Sequence, residues 1–136
     1  MNIDWITIVA TFGAAIAGSW FGSRATHAQT RVNIQLERNR WLRERCFEFL
    51  EVTDEFINVS FRKDALELHQ RDRLHRKLNT LATIALPNQQ NEIGNKVQEV
   101  RKLHVGQKCS LQFSDVEQFF GEIQKSVRAT IKQLEG

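Results

Sequence analysis

Nineteen consecutive positions, Trp5 to Ser23, carry no charge, and Asp4 and Arg24 bracket them. At 1.5 Å per residue a helix over this run is about 28 Å long, near the roughly 30 Å of a bilayer's hydrocarbon core. Trp5 and Trp20 stand near its two ends, where amphipathic rings favour a membrane interface. The run therefore predicts a transmembrane helix. A cleaved signal peptide carries its positive charge before the apolar run, whereas here only Asp4 precedes it.

The run has two faces. At 100° per residue Trp5, Ile8, Val9, Phe12, Ile16 and Trp20 share one arc. The opposite arc holds Thr7, Ala10, Thr11, Gly13, Ala14, Ala17, Gly18 and Gly22, with Ile6 and Phe21 interrupting it. Ala10, Ala14, Gly18 and Gly22 recur every fourth position, and Gly18 to Gly22 is a GxxxG. Small residues let helix backbones approach closely in lipid, so Thr7, Ala10, Thr11, Ala14, Gly18 and Gly22 are the candidate packing residues.

Beyond the run the pattern becomes that of amphipathic helices. No Gly or Pro occurs from Ser23 through Leu86, so the first helix is expected to continue without a stop. Leu42, Cys46, Phe49, Thr53, Phe56 and Ser60 form a core stripe spaced 4-3-4-3-4, widened by Trp41, Leu50 and Ile57. A turn is expected around Ser60 to Asp64. A second helix, from about Ala65 to Ala85, carries Leu74, Leu78, Leu81 and Ala85 and stops before Pro87. A third, from about Gln90 to Val105, carries Ile93, Val97, Val100 and His104 and closes at Gly106. A fourth opens on the capping-box sequence Ser114-Asp115-Val116-Glu117 and carries Val116, Phe120, Ile123, Val127, Ile131 and Leu134. The expected fold is all-α: one N-terminal transmembrane helix continuing into a cytosolic bundle of about four helices. The expected divisions are 1–23 transmembrane, 24–45 basic juxtamembrane helix and 46–136 cytosolic bundle.

Composition agrees with helix and limits size. The 136 residues hold one Pro, seven Gly and no Tyr. They accommodate one domain, which excludes a two-domain enzyme, a doubly wound nucleotide-binding fold with a separate substrate domain, and a multi-span transporter.

Charge sets orientation. The net charge is +3, and between Arg24 and Arg45 six Arg face only Glu37 and Glu44. Residues 46–136 hold 13 basic and 13 acidic residues, so the surplus is confined to the stretch beside the span. Basic residues flanking a span stay on the cytoplasmic side, which predicts an outward N-terminus and a cytoplasmic bundle at a bacterial inner membrane. Trp5, Trp20, Arg24 and Arg31 are the candidate interface residues, with anionic headgroups as their partners.

Candidate chemistry is sparse. Cys46 and Cys109 lie 63 positions apart, which is neither a disulfide framework nor a zinc pattern. Histidines 27, 69, 75 and 104 lack metal-ligand spacing, and there is no phosphate-binding glycine loop. No metal or cofactor is expected. Arg62 and His69 fit the R-x(4–6)-H pattern of HEPN-type ribonucleases, but about one such match arises by chance in a chain this rich in Arg. The basic stretch Arg62 to Lys77 has no interleaved aromatics to stack on bases, so a solvated helix face is expected rather than nucleic acid contact.

From Gly18 to Phe56 the chain resembles a class of small, uncharacterised bacterial single-span membrane proteins. The resemblance rests on Trp41-Leu42-Arg43-Glu44-Arg45 followed by Phe47, Phe49, Leu50 and Asp54, after a small-residue span and an Arg/Gln-rich exit. It implies membrane attachment and a helical cytosolic part, and brings no activity. In layout alone the chain is similar to the membrane-pore accessory protein of type VI CRISPR systems. The expected function is accordingly a self-associating, non-enzymatic membrane protein forming a homo-oligomeric, pore-like assembly, as in antiviral defence. Two alternatives stand beside it: a membrane-tethered binding module with a cytosolic protein partner, and a tethered HEPN-like ribonuclease using Arg62 and His69.

Overall fold

The computed structural model describes the backbone of residues 5–60, 68–104, 106, 108 and 110–136, with the side chains of 5–7, 68 and 104 outside the described set. Within it lie four α-helices: α1 (Trp5–Ser60), α2 (Leu68–Ala85), α3 (Gln90–His104) and α4 (Phe113–Glu135). A single 3-10 turn, Pro87–Gln89, joins α2 to α3. Among the described residues there is no strand. The all-helical expectation holds.

The chain divides into two compact units, residues 1–38 and residues 39–136. Within the second unit, Leu42 packs against the buried core and Arg43 pairs with Glu135 of α4. The expected membrane span is not supported by the described residues: no helix among them is long and apolar enough to cross a membrane. Counted over residues whose side chains are described, the uncharged run is Ile8 to Ser23, and the Gly, Ser and Thr within it dilute its apolar character.

In the second unit each helix buries the stripe its spacing predicts. Cys46, Phe49, Thr53, Phe56 and Ser60 on α1 are buried, with Val52 beside them. Leu74, Leu78, Leu81 and Ala85 of α2 join them, as do Ile93, Val97 and Val100 of α3. From α4 come Val116, Phe120, Ile123, Val127 and Ile131. Burying each such large apolar side chain contributes on the order of 1.5–3 kcal/mol. Phe56 sits centrally, edge-on to Phe120 at 5.1 Å and to His75 at 5.4 Å.

The two polar members of the α1 stripe enter the core by bonding their own helix. The Thr53 hydroxyl donates to the Phe49 carbonyl at 2.7 Å, and Ser60 donates to Phe56. Trp41 is the exception to the stripe: it is 49% exposed rather than packed. Leu42, expected within the stripe, is only half-buried, as are the flanking Leu50 and Ile57, and Leu134 is half-buried where full burial was expected.

Polar pairs fix the order of helices. Arg43 pairs with Glu135 at 3.7 Å and Gln124 bonds Asp54 at 2.6 Å, so α1 and α4 run antiparallel. Arg101 reaches Asp72 at 3.5 Å, and Gly94 lies against Asn79, so α2 and α3 do as well.

Helix ends follow local chemistry. Pro87 stops α2: the residue before a proline avoids helical dihedrals, and Leu86 sits at φ −140°, ψ 67°. Gly106 follows α3 with φ 77°, a conformation that suits glycine, and donates its N–H to the Leu103 carbonyl at 3.2 Å. The α4 start differs from the expected box at Ser114. Gln112, with extended dihedrals, is the N-cap, and its N–H donates to the Asp115 carboxylate at 3.1 Å. The reason is register: only Asp115 stands three positions after an extended residue, where a carboxylate also meets the positive end of the helix. Of the expected turn, residues 61–67 lie outside the described residues, as does Val105 at the expected end of the third helix.

Candidate functional site

The described residues of the N-terminal unit form one helical stretch of α1, and its large apolar side chains are exposed. Val9, Phe12, Ile16 and Phe21 are each 65–68% exposed, and Val32, Ile34 and Leu36 are exposed further along. Large exposed apolar surface of this kind marks contact with a membrane or another protein.

On the small-residue side, Gly13, Gly18 and Gly22 each face open space where a Cβ would stand. Ala10 and Ala14 are exposed on the same helix. Backbone is thus accessible along this face, as close approach of a second helix demands. Thr11 engages in an interaction of its own. Trp5 and Thr7 lie among the residues whose side chains are outside the described set.

The end of the uncharged run is marked by one specific contact. The Arg24 guanidinium lies over the Trp20 ring, 3.7 Å from its centroid, and Trp20 is edge-on to Phe21 at 5.5 Å. A guanidinium on an indole face gains roughly 0.5–1 kcal/mol where exposed. One helical turn on, Arg24, His27, Ala28 and Arg31 line a shallow surface concavity. Their spacing of three and four places two guanidiniums and an imidazole on one side of the helix, a donor set suited to phosphate oxygens. Arg24 and Arg31, expected as interface residues, are brought together here, and His27 joins them.

Thr26 and Thr30 sit in this same stretch and donate to the carbonyls of Gly22 and Thr26, each at 2.8 Å. Their hydroxyls are thereby satisfied within the helix.

Arg62 lies outside the described residues, and His69 is exposed on α2 and engaged in an interaction of its own. Among the described residues no cluster of His, Cys, Asp and Glu could hold a metal ion. Cys46 is a buried thiol whose ionisation burial opposes, pushing its pKa up. That environment suits a packed apolar residue and not a nucleophile. Cys109 lies outside the described residues.

Two residues of the basic stretch on α2 bond within the fold. Lys77 donates to Glu48 of α1 at 2.9 Å, and Arg76 donates its Nε to the Asp72 carbonyl at 3.3 Å. Comparison with known proteins returned no matching family model, no matching curated protein and no matching solved structure.

Proposed function

We propose that the chain is a membrane-anchored protein whose N-terminal helix enters a bilayer and self-associates through its small-residue face. The carrying observation is the exposed apolar run ending in the Trp20–Arg24 contact. Lipid or a second helix relieves the cost of leaving Val9, Phe12, Ile16 and Phe21 in water. In sequence the uncharged run reaches back to Trp5, which brings its length to about 28 Å. The Arg-rich stretch from Arg24 to Arg45 favours a cytoplasmic location for the helical bundle and an outward N-terminus.

Self-association is supported by the open backbone at Gly18 and Gly22. A closed ring of such helices would perturb the membrane. The test has two parts. Carbonate washing of membranes from expressing cells should leave the chain in the pellet; release into the supernatant overturns the anchor. Crosslinking in liposomes should give oligomers that Gly18→Leu with Gly22→Leu abolishes, together with release of an entrapped dye. Oligomers without leakage would support the tethered binding module instead, and in that case an unrelated span should replace this one without loss.

A further inference from the structure

On the side of the bundle formed by α2 and α3, six polar residues line a groove of about 320 Å³: Asp72, His75, Arg76, Asn79, Gln98 and Arg101. Asp72, His75, Arg76 and Asn79 recur at three- and four-residue spacing, so they share one side of α2 next to its apolar stripe. The arrangement is more than a solvated helix surface in two respects. His75 is only 7% exposed, its ring held edge-on against Phe56 at 5.4 Å. The Asn79 carbonyl oxygen Oδ1 is buried and has no hydrogen-bond partner among the described residues. A buried acceptor of this kind is costly unless a donor meets it.

Asp72 gathers the two cations. Its backbone carbonyl accepts from Arg76 Nε at 3.3 Å, and its carboxylate pairs with Arg101 at 3.5 Å. The terminal nitrogens of Arg76 stay available, because only Nε is bound to Asp72. The Arg101 pair is long and half exposed, so a stronger anion displaces it at little cost. A monoanion offers Arg101 nothing that Asp72 does not. A phosphate monoester, with charge near −2 and three acceptor oxygens, can take both guanidinium forks at once.

We propose that this groove binds a small phosphate monoester, with Arg76 and Arg101 holding the phosphate and the Asn79 amide, turned from its sealed position into the groove, hydrogen-bonding the organic part. Gln98, from α3, offers both donor and acceptor to the same part. The volume lies at the lower end of the range for small-molecule sites, which fits a nucleoside monophosphate better than a larger ligand. The proposal is independent of the membrane reading, since every residue in it belongs to the helical unit of residues 39–136.

Isothermal titration of the full chain in detergent tests it, with adenosine monophosphate, inorganic phosphate and sulfate at constant ionic strength. Saturable one-to-one binding of the monophosphate is expected, with sulfate at least tenfold weaker. Arg76→Gln and Arg101→Gln should each weaken both phosphate probes at least tenfold. Asn79→Ala should weaken the nucleotide alone and leave inorganic phosphate unchanged, which a general loss of positive charge would not do. Circular dichroism confirms that each variant keeps its helices; Arg76→Lys, which retains charge without the fork, serves should Arg76→Gln lose them. Absence of saturation by the native chain overturns the proposal. So does binding that the arginine variants leave unchanged.

Discussion

Gln124 of α4 donates its Nε2 hydrogen to Oδ1 of Asp54 on α1 at 2.6 Å, joining residues 70 positions apart. The two partners differ in burial: Gln124 is 8% exposed, whereas Asp54 is open to water. Removing one is therefore not equivalent to removing the other. Asp54→Ala strands a buried amide and should cost about 1–3 kcal/mol. Gln124→Met leaves only a hydrated carboxylate behind and should cost less than about 1 kcal/mol. Urea midpoints for the two variants measure the asymmetry, and equal losses would contradict the burial described.

Phe56 touches both Phe120 and His75, so truncating it opens the centre of the bundle. Phe56→Ala should cost about 3–5 kcal/mol, enough to remove most of the stability of a small domain. Trp41→Ala, at an exposed site on the same helix, should change stability by about 0.5 kcal/mol. Thermal melts followed by circular dichroism separate the two outcomes.

Gly106 holds φ at 77° while its N–H closes the end of α3. A side chain there must enter the left-handed region, so Gly106→Ala should destabilise by about 1–2 kcal/mol. Gly121 lies within α4 with open space around it, and Gly121→Ala should instead stabilise, by about 1 kcal/mol. Opposite signs at two glycines are the readout.

Glu48 accepts a hydrogen bond from Lys77 and also lies near Arg45, and these cations hold its carboxyl below the usual range. Its pKa in the fold lies below that of the unfolded chain. The contribution to stability is complete above the ordinary glutamate value of about 4.3. It fades as pH falls through the lowered value. Lys77→Met should therefore be less stable than the native chain at pH 7, and the gap should close on acidification. Guanidinium unfolding across pH 2–7 measures it; a gap that persists unchanged at the acid end would show that Lys77 acts through packing alone.

Cys46 is fully buried and its thiol pKa is raised, so it should react with a thiol reagent only when the bundle opens. In a Cys109→Ser background the labelling rate should follow global unfolding and rise with urea. Rapid labelling of the native chain would place Cys46 at the surface.

The bundle's core was legible because its signal is redundant. Leu74, Leu78, Leu81 and Ala85 repeat at helical spacing with charged neighbours between them, and Pro87 and Gly106 mark ends by backbone restrictions that need no tertiary knowledge. Trp41 escaped the same logic. Its position fits the edge of the stripe, yet near the boundary at residue 39 the flanking helices give it no full cover. The α4 cap shifted for a similar reason: Ser114 and Glu117 satisfy the capping pattern, but Gln112 and Asp115 do so with the extended residue in the right place.

The site was legible in a different way. Arg24 and Trp20 stand out in sequence as a charge and an aromatic at the end of an uncharged run, and the helical spacing of four stacks them. The groove between α2 and α3 could not be read, because it depends on which residues of two helices come opposite each other. Asp72 and Arg101 are 29 positions apart with no pattern linking them. A polar residue such as His75 beside an apolar stripe was the sole hint.

The internally bonded hydroxyls of Thr26 and Thr30 have a consequence for how α1 meets its surroundings. A side chain that already donates to its own backbone asks nothing of water and nothing of lipid. On the proposed membrane reading, Thr26 and Thr30 therefore set no depth for the helix, and the Arg24–Trp20 contact, with His27 and Arg31 beyond it, is what marks where the apolar run would meet headgroups.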